Sequence, residues 1–376
     1  MNNRLLMISG DRALAEGKHG AFFNTLEEFR KYWDRIDVIC PRVGNNQQST
    51  INNRFFDNVF IHPSPWPLIF QPFWILKEGQ RLIKEYGHDF VTVHEYPPFY
   101  NGIGAYLLWR KTKVPYWLEI FHIIGYPKAA GLKEISYRWL TKIFINFDAR
   151  RASAIRTINN NQVPSFLVRA GVPKEKIIYV PAFYIDLDIF KLMGLDKEYD
   201  LIFVGRLVKN KGVNLFLEAV KKLGLKTIIV GDGPLKESLK FKVKSLKLEN
   251  QIIFHGWAKD SQEVAELMNK SKILVMSSYN EGGPRVVPEA MACGVPVLAT
   301  AVGIMPEIIK SGESGEIIDW NSENIVQKVK ALLDNPAQFD LYVRRGLEIA
   351  RQFGKKEAIK NYAEKLQSLI RRYPPR

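Results

Sequence analysis

Two short segments carry residues whose types and spacing suit the handling of a phosphorylated sugar. The first reads Gly205-Arg206-Leu207-Val208-Lys209-Asn210-Lys211-Gly212, two glycines around three cations. Arg206 offers a planar fork of N–H donors and Lys211 a mobile point charge. A helix beginning near Val213 would add the partial positive charge of its N-terminus. Such a group suits a diphosphate. The second reads Asn280-Glu281-Gly282-Gly283-Pro284-Arg285-Val286-Val287-Pro288-Glu289, with seven residues between its two carboxylates. Gly282 and Gly283 can turn their N–H groups outward with no Cβ in the way. Pro288 is tolerated in the first turn of a helix, so the helix begins near residues 285–288. Glu281 then sits in the loop and Glu289 in the first turn, and both can face one mouth. A carboxylate accepts two hydroxyl protons at once, which suits a vicinal diol.

Weaker candidates lie elsewhere. Gly17-Lys18-His19-Gly20 separates a first apolar run from a helical pattern and could touch an acceptor or the diphosphate. His122 closes an apolar run, as do His94 and Glu95. Gly303-Ile304-Met305-Pro306-Glu307 is another turn of the same kind. Gly231-Asp232-Gly233 and Gly102-Ile103-Gly104 each resemble half of a dinucleotide fingerprint, but Lys236 and Leu107 stand where a third glycine is needed. A nicotinamide enzyme is disfavoured on that ground. The six histidines show no zinc-ligand spacing, so no metal site and no cofactor are expected. Asp186-Leu187-Asp188 has metal-diphosphate spacing but follows no strand, and reads as structural.

The elements that must position these groups alternate along the whole chain. Short apolar runs at 5–9, 37–40, 59–62, 90–94, 116–121, 154–158 and 177–180 read as strands in the first half. A second series falls at 201–204, 227–230, 252–254, 273–276, 297–299 and 316–318. Between them lie stretches with apolar residues at helical spacing, such as Val213 to Val220. Strand and helix in alternation make parallel sheets covered on both faces. Two such series predict an α/β protein of two Rossmann-like domains. The expected divisions are 1–182, a linker at 183–198, a second domain at 199–354, and a final helix and tail at 355–376. Both cation and carboxylate segments then follow strands, at the carboxyl edge where open sheets of this type bind ligands.

Composition limits the function classes. A length of 376 residues with 46% hydrophobic content supports two cores of ordinary size and excludes a disordered chain. No apolar run reaches the length of a spanning helix. Two cysteines, Cys40 and Cys293, argue for a reducing, cytoplasmic setting. The formal charge of +15 is spread over both halves and has no dense basic run. Aromatic residues at 63–74 with Arg110, Lys111, Lys113, Arg138 and Lys142 suit peripheral contact with an anionic membrane, at its inner face.

Together the segments resemble the family 4 glycosyltransferases, which have the GT-B fold: two Rossmann-like domains whose parallel sheets face a central cleft. The likeness covers nearly the whole chain and is strongest over 201–318. It rests on Glu281 and Glu289 followed by Ala-Met-Ala-Cys-Gly-Val-Pro, with Gly205-Arg206 and Lys211-Gly212 upstream. It implies that Arg206 and Lys211, beside Gly205, hold a donor diphosphate. It implies that Glu289 grips the nucleotide ribose, and that Glu281 lies near the transferred sugar. Gly282, Gly283, Pro284 and Arg285 would line that pocket. His122 matches the family's active-site histidine, Gly17 and Gly20 its N-terminal glycine loop, and the last helix would cross back onto the first domain. Two departures stand out. Pro181-Ala182-Phe183 replaces the usual Pro-Asn-Gly before the linker aspartate, and Lys18 and His19 split the glycine pair.

The reaction implied is retaining and metal-independent. A hexose-type sugar moves from a nucleotide diphosphate donor to a saccharide or lipid-linked saccharide acceptor, as in polysaccharide biosynthesis. Fixed cations would stabilise the charge that grows on the departing diphosphate. Catalysis would then rest on Glu281, His122, Arg206 and Lys211. Alternatives are a nucleotide-sugar epimerase or a phosphorylase on a similar fold, or a non-enzymatic nucleic-acid binder. Glu281 and Glu289 would repel nucleic-acid phosphates, so nucleic acid is not an expected partner.

Overall fold

The computed structural model describes residues 3–12, 14–16, 20–42, 54–181 and 184–372. The first sheet is built from β1 (Arg4–Ile8), β2 (Arg35–Cys40), β3 (Arg54–Phe55), β4 (Val59–Pro63), β5 (Phe90–His94), β6 (Tyr116–Ile120), β7 (Ala154–Thr157) and β8 (Ile177–Tyr179). Their order is β3-β4-β2-β1-β5-β6-β7-β8, parallel throughout except for the short β3. The second sheet holds β9 (Tyr199–Val204), β10 (Thr227–Val230), β11 (Ile252–Gly256), β12 (Ser271–Met276), β13 (Val297–Thr300) and β14 (Glu316–Ile318). Its order is β11-β10-β9-β12-β13-β14, all parallel. The fold is therefore two doubly wound α/β units, as the alternating pattern requires.

Helices cover both faces. In the first unit they are α1 (Ala21–Phe29), α2 (Gln71–Tyr86), α3 (Tyr100–Thr112), α4 (Leu132–Arg151) and α5 (Gln162–Arg169). In the second they are α6 (Val213–Leu223), α7 (Lys236–Ser245), α8 (Ser261–Asn269), α9 (Val286–Ala292), α10 (Met305–Ile308), α11 (Ser322–Leu333) and α12 (Pro336–Ala350). The strands are near-continuous apolar runs because both of their faces are buried, Leu5, Leu6, Leu201 and Ile202 completely so.

In each sheet the winding direction reverses once, between β1 and β5 and between β9 and β12. At such a switch point neighbouring loops leave on opposite faces and open a crevice. The loops after β9 and β12 are the ones that carry Lys211 and Glu281.

The last helix, α13 (Lys355–Arg372), returns to the first unit. Its Tyr362 ring stacks on Phe29 at 4.6 Å and lies parallel to Trp117 at 6.3 Å. Lys355 binds Glu27 at 2.9 Å, and Gln367 donates to the Tyr32 carbonyl. The two chain crossings are tied together. Ile185 N–H donates to the Phe353 carbonyl, and Lys355 N–H donates back to the Ile185 carbonyl.

Candidate active site

Local chemistry fixes the loops after β9 and β12 against each other. Lys209–Lys211 forms a single tight turn that ends at Gly212, whose φ is +67°. A Cβ at Gly212 would lie 2.0 Å from the Ser277 carbonyl oxygen, so only glycine allows the loops to touch. The Ser277 hydroxyl donates to the Gly212 carbonyl at 3.0 Å, and Tyr279 N–H donates to the Asn210 carbonyl at 2.7 Å. These bonds bring the Lys211 ammonium onto Glu281, where the two form a partly buried ion pair. Ser278 donates to the same carboxylate oxygen at 3.1 Å. Helix α9 begins at Val286, so Glu281 stands in the loop and Glu289 in the first turn, as the proline position predicted.

The remaining residues of these two segments divide by location. Arg206 is exposed at the rim, with no ion-pair partner among the described residues. Gly205 sits behind Lys211, its missing Cβ 3.8 Å from the lysine chain. Glu289 is half-buried, and burial pushes its carboxyl up to about 7 against the pull of Arg285. Pro284 is buried at the start of α9, and Arg285 lies over the Tyr184 ring at 4.4 Å.

Between the two units runs a cleft cavity of about 360 Å³. His122, Gly282, Gly283 and Arg285 line it, with Thr92, His94, Phe121 and Tyr362. The units approach closely at Gly282. A Cβ there would meet the Phe121 carbonyl oxygen at 2.1 Å. His122 faces the cleft from the end of β6. The protein around it strips water and lowers its pKa, Lys211 adds to that, and Glu281 opposes it. Solvent still reaches the ring across the open cleft, which limits the shift. His94 also titrates below the usual range, mainly through burial, and packs its ring 4.7 Å from Phe121.

Sequence reasoning overlooked Glu119, Arg156, Tyr362 and Gln162, and the contacts of several groups it had named. On neighbouring strands Glu119 pairs in register with Arg156, and their side chains bond at 2.6 Å on the cavity floor. Tyr362 donates to the same Glu119 oxygen at 2.7 Å, and the Arg156 guanidinium lies 3.6 Å over the Tyr362 ring. A charge inside each of two apolar strand runs was the available signal. Glu307 accepts from the N–H groups of Asn160 and Asn161 at 2.8 and 3.0 Å, and so caps α5 from the other unit. Gln162 bonds Gly303 N–H at 2.6 Å and the Ala301 carbonyl at 3.1 Å. Asn280 reaches the opposite way, donating to Glu134 at 2.8 Å. Glu95 turns away from the cleft and is buried beside Asp148; burial drives both carboxyls above the usual range. Gly17, Lys18 and His19 lie outside the described residues, and Gly20 stands just before α1. The Asp186 carboxylate accepts from the Asp188 N–H, a turn contact at the chain crossing.

Residues 186–358, which span the whole second sheet and the loops after β9 and β12, match the glycosyl transferases group 1 family. The protein is a glycosyltransferase. It is 28% identical over 309 residues to an uncharacterized glycosyltransferase, MJ1178, of Methanocaldococcus jannaschii, across 79% of this chain and 82% of that one. It is 29% identical to a Campylobacter jejuni alpha-1,4-N-acetyl-D-galactosaminyltransferase named for an undecaprenol-linked saccharide, across 45% of this chain and 47% of that one. Among solved structures, the fold matches Anabaena Alr3699/HepE in complex with UDP and glucose. The TM-score there is 0.75 at 18% identity, over 98% of this chain and 100% of that one. Among the described residues no cluster of three His, Cys, Asp or Glu side chains is assembled that could hold a metal ion, and no helix is long and apolar enough to cross a membrane.

Proposed function

We propose that this glycosyltransferase takes a nucleotide diphosphate sugar at the β9–β12 crevice and passes its hexose-type sugar to a saccharide or lipid-linked saccharide held over the first sheet. In this reading residues 1–182 serve the acceptor side and 199–354 the donor. The observation that carries it is the Lys211–Glu281 pair at the switch point, with Arg206 exposed beside it. A diphosphate arriving there exchanges the Glu281 carboxylate for its own oxygens on Lys211. Glu281 is then free to accept hydroxyls of the sugar, and Glu289 those of the ribose. As the sugar–phosphate bond breaks, Lys211 and Arg206 hold the charge that collects on the leaving diphosphate. His122 faces the reacting centre from the other wall in a largely neutral form, ready to accept a hydrogen bond from the sugar or the acceptor.

The finer assignment is to family 4, with retention of anomeric configuration, no metal requirement and no cofactor besides the donor. The undecaprenol-linked substrate in the name of the Campylobacter relative supports a lipid-linked acceptor. Work at the inner face of the cytoplasmic membrane follows from that acceptor. A panel of UDP-, GDP- and ADP-sugars read by thermal stabilisation tests the donor, since a ligand that binds only the folded form raises its midpoint. One member should stabilise the protein with or without EDTA. Stabilisation by none would overturn the donor site, and loss of the effect in EDTA would overturn metal independence. The anomeric configuration of the transferred sugar in the glycoside product, read by proton NMR and compared with that of the donor, tests retention.

A further inference from the structure

Among the described residues a row of exposed apolar side chains runs along α4. Leu132, Ile135, Trp139, Ile143 and Phe147 recur at helical spacing and form one stripe on its outer face. Their exposures run to 85% for Leu132, 62% for Trp139 and 51% for Ile143, so most of the stripe is open; only its far end is engaged, where Phe147 meets the Tyr106 ring edge-on at 5.4 Å. Contiguous apolar surface of this kind on a monomer marks an interaction site.

The charges beside it select the partner. Arg138 and Lys142 flank the stripe on one side, Lys133 and Arg151 on the other, and Arg150 ends it. None of these five cations forms an ion pair with an acid among the described residues. The two acids of α4 are turned away. Glu134 bonds Ala130 N–H and Asn280, and Asp148 is buried. The face therefore carries apolar groups and cations with only the neutral Ser136 and Asn146 among them and no carboxylate, the pattern of a helix lying in an anionic headgroup layer. A second apolar group, Ile69, Phe70 and Phe73, is exposed where α2 begins, and α2, α3 and α4 lie side by side in one layer.

Position ties the stripe to the chemistry. The segment leading into α4 docks on the donor loop. Asn280 donates to Glu134 and to the Lys128 carbonyl, and the Lys128 ammonium sits 5.0 Å over the Trp320 ring. Leu132 thus lies at the mouth of the cleft, and the stripe runs outward from it.

We propose that the outer face of α4 is a docking surface for an anionic lipid bilayer, and that it holds the cleft mouth against the headgroups. This rests on the reading that the acceptor is lipid-linked and the enzyme works at a membrane. Lipid-anchored acceptors would then reach the cleft by diffusing in two dimensions to Leu132, without leaving the bilayer.

Vesicle sedimentation tests this, with vesicles of phosphatidylglycerol and phosphatidylcholine in equal parts against vesicles of phosphatidylcholine alone. The protein should pellet with the anionic vesicles only. The double variant Trp139→Glu/Ile143→Glu, whose side chains are solvent-facing, should keep its thermal midpoint and bind anionic vesicles at least about tenfold more weakly. Lys142→Glu should weaken binding by a smaller factor and remove part of its salt dependence. Equal pelleting of the double variant overturns the docking face while leaving membrane residence standing. Recovery of the wild type in the supernatant with both vesicles overturns both. Concentration-dependent dimerisation without vesicle binding, abolished by the double variant, would assign the stripe to a second copy of the chain and overturn the proposal.

Discussion

The two sheets treat charge in opposite ways. Among the described residues every buried aspartate, glutamate, histidine and arginine belongs to the first unit: Asp37, Glu78, His88, Glu95, Glu119, Asp148 and Arg156. The buried polar groups of the second are neutral, Asn269, Ser271, Ser277, Ser278, Asn280, Thr300 and Ser314 among them. Its chemical charges, Arg206, Lys211 and Glu281, stand at the rim of an apolar core. The second unit thus keeps these charges at its surface, while the first buries its own, some in internal pairs and two, Glu95 and Asp148, side by side. Asp37, for example, accepts from Arg35 and bonds His62 and His88 at 2.7 Å. A rim charge can exchange partners when a ligand arrives; a buried one cannot without a large penalty.

The largest test of that contrast is Arg156→Met. Removing one member of a buried pair strands Glu119 and loosens α13, and should cost about 3–5 kcal/mol of stability in urea unfolding. The double variant Arg156→Met/Glu119→Leu should recover most of the loss. Failure to recover would mean that the pair acts through more than charge compensation. Next is Lys211→Ala, which should lower turnover by about 10²–10³-fold. Its thermal midpoint should hardly move, because the pair it breaks is at the rim. A collapse of the midpoint would place Lys211 with the buried charges of the first unit and erase the contrast.

Glu289 sharpens the comparison by pH. Its carboxyl titrates at about 7 when folded and near 4.5 when unfolded. The folded form holds that proton more tightly, so its contribution to stability is complete below 4.5 and is lost as pH rises through about 7. Wild-type stability should fall across that window by more than that of Glu289→Gln, and parallel curves would contradict the assignment. If the ionised form grips the ribose, affinity for the donor nucleotide should rise through the same window in the wild type only. Smallest is Glu307→Ala, which uncaps α5 across the cleft. It should cost about 0.5–2 kcal/mol and loosen closure of the units, seen as faster hydrogen exchange at 160–165.

The convergence of the loops after β9 and β12 was legible in the sequence because its parts are local. Gly205 to Gly212 is a single βα loop, Glu281 to Glu289 is the next such loop running into the first turn of α9, and a parallel sheet puts all such loops on one edge. Pro288 alone placed the start of α9 to within a residue or two. The strand runs were legible for the same reason, since burial on both faces leaves an unbroken apolar signature. What stayed hidden depends on register and distance. Glu119 and Arg156 meet only because β6 and β7 align them, and Tyr362 joins them from 243 positions away. The α4 stripe was missed differently. Its apolar residues recur at the spacing of an ordinary core-facing helix, and only the structure shows that the core takes the other face, at Thr141, Ile145 and Ala149.

Calorimetric titration of the stabilising nucleotide sugar into wild type, Lys211→Ala and Glu281→Gln tests the central claim most directly. If a diphosphate takes Lys211 from Glu281, Lys211→Ala should lose most of its affinity. Glu281→Gln should bind the bare nucleoside diphosphate as well as the wild type or better, while turning the donor over far more slowly. Undiminished binding by Lys211→Ala would contradict the account.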